Sequence, residues 1–290
     1  MPLELPKYWV LFKKVSTAWL DDDAPSMGAA LAYYTLFSLA PILLIVISVA
    51  GLLFGEEAAR GEIQTQLRAL MGDAGASAVQ ALLVSVDSTA QGKTATLLGF
   101  GLLLVGATTV LAELQTALDR IWRAPAQPRA NGWITLLRSR LLSFGMILVI
   151  GFLLMVSLVL SAVLAAMDHW LSPVFGAWLA VASAVNAIAG FFLVAAVFAL
   201  IYKLMPRVHV HWRDVWVGAV FTALLFTLGK TLIGLYIGRS GVVSGFGAAG
   251  SLVVVLLWVY YSAQIFLIGA EFTWVYANMF GSRSVPISPD

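Results

Sequence analysis

The histidines of this sequence are the residues whose type and spacing come nearest to a metal site. His209 and His211 are separated by one valine, and Asp214 is the closest carboxylate. Zinc sites usually take three or four protein ligands, and the chain has no cysteine to supply one. The pattern therefore predicts no metal site and no bound cofactor.

Catalytic signatures are also missing. The pairs Gly92-Lys93 and Gly229-Lys230 are each followed by threonine, but they lack the upstream glycine of a phosphate-binding loop. The chain contains no HExxH motif and no nucleophile elbow. We expect neither an ATP-driven pump nor an enzyme.

Several polar residues interrupt apolar stretches. Ionisable groups inside a membrane are costly and usually face protein or water. Lys230 has two interpretations: it faces the interior, where it holds an anion or pairs with Asn186, or it reaches outer headgroups by snorkelling. Glu113 and Glu271 end apolar runs and are structural or gating ion-pair candidates, with Arg120, Arg123 or Lys203 as partners.

The elements that must position these residues are long apolar runs. Five of them contain no charged residue, and Val215–Gly238 is broken only by Lys230. The five uncharged runs are Ala24–Gly55, Thr94–Ala112, Leu141–Met167, His169–Tyr202 and Ser240–Ala270. About 20 apolar residues cross the hydrocarbon layer as a helix. The sequence predicts an all-α, polytopic membrane protein with six transmembrane helices.

Most Lys and Arg residues fall in the N-terminal segment, the tail and the loops on one side of the predicted membrane. The positive-inside rule then places both termini in the cytoplasm. We expect a cytoplasmic amphipathic helix in residues 1–23, a transmembrane domain over residues 24–280 and a cytoplasmic tail over residues 281–290.

Two amphipathic segments flank the first predicted span. Residues 6–20 fit either a helix on the cytoplasmic membrane surface or one packed against the bundle. Residues 56–93 contain two apolar stripes separated by a break at Gly72–Gly75, and they fit either a cap over the outer end of the bundle or a lid.

Proline and glycine mark irregular positions. Pro41 predicts a kink near Phe37–Ala40, as a hinge or as a packing feature. Residues 238–251 are rich in glycine and predict an irregular outer loop before a helix with a small-residue face. The substrate-pathway candidates are Lys230, Asn186, Tyr34, Pro41, Gly250, Tyr261 and Gln264.

Four segments resemble the bacterial YihY/BrkB membrane family: AALAYYTLFSLAP, ELQTALDRIW, WRDVWVGAVFTALLFTLGKTLIGLY and GAAGSLVVVLLWVYYSAQIFLIGAEF. The resemblance implies an inner-membrane protein with six helices, from a family with members linked to virulence or serum resistance. Some members carry a ribonuclease label. This chain has no HxHxDH run to hold a catalytic metal, so we do not expect ribonuclease activity. Asp119 stands where the family often has Asn, which puts any role of an amide there in doubt.

Three functional classes fit these features. The first is a translocation pathway for a lipid or other amphiphile in envelope biogenesis, suggested by the outer amphipathic segment and a mostly uncharged interior. The second is an ion or solute channel or secondary transporter centred on Lys230. The third is a non-transporting envelope scaffold. The expected partners are membrane lipids, together with other envelope proteins or a second copy of the chain. The net charge of +2 gives no reason to expect nucleic acid.

Overall fold

The structure is a computed structural model that describes residues 7–89, 109–125, 178–239, 245–246 and 249–284. All regular structure in these ranges is helical, which confirms the predicted all-α class. Besides a helical stretch over residues 109–121, the helices are α1 (Lys7–Asp21), α2 (Ala24–Phe54), α3 (Glu56–Thr89), α4 (Trp178–Leu204), α5 (Trp212–Arg239) and α6 (Gly250–Met279).

Three of the described helices are long and apolar enough to cross a membrane. The qualifying segments are Ala187–Leu204, Trp212–Ile237 and Gly250–Met279. The count of six spans and the orientation stay predictions. The predicted span Leu141–Met167, most of Thr94–Ala112 and the beginning of His169–Tyr202 lie outside the described residues.

Helix α1 packs against the bundle. Leu11 and Val15 are buried in an apolar cluster with Phe272 and Val275 of α6. This contact matches the second of the two interpretations given for this helix. Trp9 and other residues on the opposite face are exposed, so contact between that face and a membrane surface stays a prediction.

Helix α2 continues as one helix through Pro41. The buried Ser38 hydroxyl donates hydrogen bonds to the Tyr34 carbonyl (2.9 Å) and the Thr35 carbonyl (3.2 Å), one turn before the proline. Proline removes the hydrogen bond to the carbonyl four residues earlier, which is that of Phe37. Ser38 therefore does not bond the carbonyl that Pro41 frees.

Helix α3 consists of two pieces joined at Gly72, whose φ of 73° and ψ of 176° are not helical. The break therefore lies at the first residue of the interval Gly72–Gly75, where the sequence predicted it. Leu67, Met71, Val79 and Leu83 from the two pieces are buried in one apolar cluster that also contains Ile233, Ile237, Val254 and Val255. Both pieces therefore pack against the facing ends of α5 and α6, and this packing favours a cap.

A repeated five-residue pattern builds the contact between the antiparallel helices α5 and α6. The pattern Gly-Ala-x-Phe-Thr occurs at residues 218–222 and again at residues 269–273. A Cβ atom on Gly218 would overlap the Thr273 side chain, and one on Gly269 would overlap the Thr222 side chain. Each glycine thus accommodates the threonine of the other helix, which lets the two backbones approach closely. We call this contact the glycine–threonine seam.

Candidate functional site

A tight turn between α1 and α2 places two aspartates at one end of the bundle. Asp23 adopts the left-handed conformation with φ of 56°, and its carbonyl accepts hydrogen bonds from the backbone N–H groups of Ser26 (3.0 Å) and Met27 (3.1 Å). Aspartate is one of the few residue types that occupy this region readily. The turn buries the side chain of Asp22, which is 2% exposed, and leaves Asp23 at the surface.

A second left-handed residue, Arg123, ends the helix over residues 109–121. The N–H of Ala124 donates to the Asp119 carbonyl at 2.8 Å, and the N–H of Arg123 donates to the Arg120 carbonyl at 3.1 Å. This is the Schellman arrangement, in which glycine usually occupies the left-handed position. The left-handed conformation is unfavourable for arginine, so contacts of the Arg123 side chain are expected to stabilise it.

Arg123 makes a short ion pair with the buried aspartate. Its Nη1 lies 2.6 Å from Oδ1 of Asp22, and its guanidinium lies 5.4 Å from the centre of the Trp274 ring on α6. The neighbouring pair, Arg120 Nη2 to Asp23 Oδ2, is longer at 3.4 Å and both of its side chains are exposed. Exposed pairs of this kind contribute little to stability.

Glu271 of α6 lies beside this ion pair. Its side chain is fully buried, and neither of its carboxyl oxygens receives a hydrogen bond from a described residue. Asp22 Oδ2 is buried and lacks a donor in the same way. The Glu271 carboxyl is within hydrogen-bonding reach of Asp22 and within electrostatic range of Arg123 and Asp21. We call Asp22, Arg123 and Glu271 the carboxyl–arginine cluster.

Other polar contacts tie the chain segments around this end together. The Asp119 carboxylate accepts the backbone N–H of Arg207 at 2.8 Å, and its Oδ2 lies 3.3 Å from Arg207 Nε. Burial raises the pKa of Asp119, and Arg207 opposes that change. Asp214 accepts from the hydroxyl of Ser282 (2.6 Å) and from its backbone N–H, so this carboxylate anchors the segment that follows α6.

The three ion-pair candidates occupy different environments. Arg120 pairs with Asp23, and Glu271 belongs to the carboxyl–arginine cluster. Glu113 is half-buried, and no hydrogen bond or ion pair joins it to another described residue. The structure therefore brings Glu271 to Arg123 through Asp22 and keeps Glu113 apart from both.

The pathway candidates on α6 have different surroundings. Gln264 donates from Nε2 to the Ala24 carbonyl at 3.4 Å and fills the space beside Gly28 of α2. Tyr261 lies against Gly229 of α5, and Gly250 is buried near the start of α6. Tyr34 of α2 is half-buried against the exposed ring of Tyr33, 5.5 Å between centroids.

Lys230 lies on α5 between a packed position and an open one. Gly229 faces Tyr261 and Ile265 of α6, whereas no atom lies within 4 Å of a Cβ placed on Gly234. The Lys230 side chain is half-buried, and among the described residues it makes no hydrogen bond or ion pair. The side chains of Asn186 and Pro41 fall outside what the structure describes.

Sequence reasoning missed two parts of this arrangement. Asp22 belongs to the acidic run Asp21-Asp22-Asp23 directly before an apolar helix, which is a detectable signal for a buried polar turn. The repeated Gly-Ala-x-Phe-Thr pattern was also present in the sequence. At its middle position the first copy has Val220 and the second has Glu271, so aligning the copies singles out Glu271 as the substituted position.

Comparison with known proteins identifies the family of this chain. The family Virulence factor BrkB matches residues 15–288. A UPF0761 membrane protein of Pseudomonas aeruginosa strain LESB58 is 32% identical over 254 residues, covering 87% of this chain and 59% of that protein. The UPF0761 membrane protein of Azotobacter vinelandii is 29% identical over 268 residues, 91% of this chain and 62% of its own length.

The chain thus spans about three-fifths of the length of these relatives. The corresponding protein of Tolumonas auensis is 26% identical over 257 residues, which is 87% of this chain and 80% of that protein. No solved structure matches the chain. The family match covers nearly all of the sequence, and the described helices suit a membrane, so this chain is a membrane protein that belongs to the Virulence factor BrkB (YihY/BrkB) family.

Proposed function

We propose that this protein provides a translocation pathway for a lipid or other amphiphile in the bacterial inner membrane, in envelope biogenesis, and that it is not an enzyme. The observation that supports the proposal is Lys230, a half-buried cation in an apolar helix without a described partner. A lysine in that setting can hold the anionic headgroup of an amphiphile while the acyl chains stay in the bilayer.

The surroundings of Lys230 fit such a ligand. Leu228 and Leu232, two residues before and after it, are 58% and 62% exposed and lie on the opposite face of α5, so that face suits contact with acyl chains. Gly234 lies one helical turn after Lys230 and on the same side of α5. No atom lies within 4 Å of a Cβ placed on Gly234, so there is open space beside it. A headgroup could enter sideways from the lipid without passing through the packed seam between α5 and α6.

The test uses purified protein in phospholipid vesicles with a fluorescent anionic phospholipid as the probe. Externally added dithionite destroys the probe in the outer leaflet, so movement between leaflets increases the fraction destroyed. Wild-type protein should accelerate movement relative to empty vesicles. Lys230→Met should abolish the acceleration, and Lys230→Arg should retain most of it because the positive charge remains.

Leu232→Met is the matched control, since it changes an exposed residue on the same helix without altering charge. It should behave as wild type. A zwitterionic probe of the same chain length should move more slowly than the anionic one. If wild-type protein moves neither probe, or if Lys230→Met moves the anionic probe normally, the proposal is wrong.

A secondary transporter is the second candidate, because the described structure buries two adjacent carboxyl groups, Asp22 and Glu271. Paired buried acids are common in proton pathways of transporters. Under this alternative, a proton gradient across the vesicle membrane would drive probe movement. A pathway that needs only Lys230 would move the probe equally with and without the gradient.

A further inference from the structure

The buried oxygens of the carboxyl–arginine cluster need a donor that the described residues do not supply. Both oxygens of Glu271 and Oδ2 of Asp22 are inaccessible to solvent and receive no hydrogen bond. A buried charged acceptor without a donor loses its hydration and gains nothing in exchange, which is a costly arrangement. A donor beyond the N–H and O–H groups of the described residues is therefore needed at these oxygens.

The charge balance of the cluster indicates the nature of the missing donor. Arg123 supplies one positive charge to this cluster, and its Nη1 is already bonded to Asp22 Oδ1. If Asp22 and Glu271 were both ionised, the cluster would bury a net negative charge. Asp21 adds a further negative charge within range of Glu271, and the neighbouring Arg120 is engaged by Asp23. One proton added to the two carboxyls makes the cluster neutral.

The proximity of the two acids suits one shared proton. As two carboxylates, Asp22 and Glu271 both accept hydrogen bonds and neither can donate. A proton on one of them turns the same contact into an O–H···O⁻ hydrogen bond, which is among the stronger hydrogen bonds in proteins. Adjacent carboxyls that cannot both ionise share a proton in this way in other proteins.

We infer that Asp22 and Glu271 share one proton and form a proton-binding site on the C-terminal half of α6, with Arg123 as its positively charged partner. The site joins three separate segments of the chain: the turn between α1 and α2, the end of the 109–121 helix, and α6. Loss of the proton would leave two adjacent carboxylates with one arginine, and their repulsion would weaken the attachment of α6 to the turn. This site does not depend on the lipid pathway or on Lys230.

Infrared spectroscopy of the purified, full-length protein tests the inference. A protonated buried carboxyl has a C=O stretching band that is distinct from the carboxylate bands and shifts in heavy water. Wild-type protein at neutral pH should show this band. Glu271→Gln should lose it, and Asp22→Asn should also lose it, since either change removes one of the two sharing groups. Glu113→Gln, which alters a half-buried glutamate outside the cluster, should keep it.

Three results would overturn the inference. The first is a wild-type protein without the band. The second is a band that persists in Asp22→Asn, because the proton would then belong to Glu271 alone. The third is a band lost only in Glu113→Gln. The wild-type measurements apply even if a variant fails to fold.

Discussion

The rings of Phe221 on α5 and Phe272 on α6 stack with centroids 3.9 Å apart and planes 16° from parallel. Each phenylalanine precedes the threonine of its own Gly-Ala-x-Phe-Thr copy, so equivalent positions of the two copies meet across the seam. Phe12 of α1 completes the group, with centroid distances of 6.2 Å to Phe221 and 6.4 Å to Phe272. The repeated pattern therefore positions α1 as well as α5 and α6.

The stacked rings should be energetically coupled. Replacing Phe221 and Phe272 by Leu, singly and together, should give a coupling energy of about 0.5–1.5 kcal/mol, the range for aromatic pairs beyond simple burial. Reversible unfolding in detergent measures the free energies. Additive single effects would mean that the stack contributes no specific interaction.

The seam should tolerate no extra methyl group. Gly218→Ala and Gly269→Ala each introduce a Cβ that overlaps a threonine side chain of the other helix, so each should lower the free energy of unfolding by roughly 1–3 kcal/mol. Adding Thr273→Ala to Gly218→Ala should restore part of the loss. Gly234→Ala is the matched control, because its Cβ meets open space and alanine favours a helix. A loss in the control equal to that at the seam would contradict this explanation.

The two arginines at the end of the 109–121 helix should differ in importance. Arg123→Gln leaves the buried Asp22 carboxylate without its closest partner, and we expect a loss of about 1–3 kcal/mol in unfolding free energy. Arg120→Gln removes only the exposed pair with Asp23 and should cost less than about 1 kcal/mol. Equal losses in the two variants would mean that burial of Asp22 is not what makes Arg123 important.

Asp119 gives a prediction about pH. Its pKa is raised by burial, so the folded chain holds this proton more tightly than the unfolded chain does. The protonated Asp119 side chain therefore stabilises the folded chain in acid, and this contribution to the free energy of unfolding is lost as the pH rises through the pKa of Asp119 in the folded chain. Asp119→Asn keeps an acceptor for the Arg207 N–H and removes this pH dependence, whereas Asp119→Leu removes the acceptor and should destabilise at every pH.

Thermal unfolding of the Asp119 variants at mildly acidic and mildly alkaline pH measures these effects. The difference between Asp119→Asn and wild type should move in favour of the asparagine variant as the pH rises. A difference that moves in favour of wild type would mean that the attraction between Asp119 and Arg207 outweighs burial.

The predicted orientation can be checked with single cysteines, because the natural chain has none. Asp73→Cys replaces a side chain that is 92% exposed on α3 and should react with a membrane-impermeant thiol reagent added outside spheroplasts. Ser284→Cys, exposed after α6, should react only after the membrane is permeabilised. Reaction of the Asp73→Cys chain only from the inside would reverse the topology.

Composition and periodicity were enough to predict the helical class, the break in α3 near Gly72 and the buried stripes on both sides of it. Those features depend on residues close together in sequence. The carboxyl–arginine cluster depends on three segments that are far apart in the chain, and Asp22 and Arg123 meet through two left-handed turns. Propensity does not predict such turns when the residue is not glycine, so the sequence indicated Arg123 among the possible partners of Glu271 but not Asp22. The contacts of the pathway candidates depend likewise on which helices are neighbours.

The glycine–threonine seam also limits how α5 and α6 can move. Sliding one helix by a single turn would bring Thr222 opposite Thr273 in one direction and Gly218 opposite Gly269 in the other, because the large and small positions alternate at four-residue intervals in both copies. The close-packed interior does not accommodate that mismatch. The seam therefore fixes the register of the two helices and disfavours any working motion that slides one along the other.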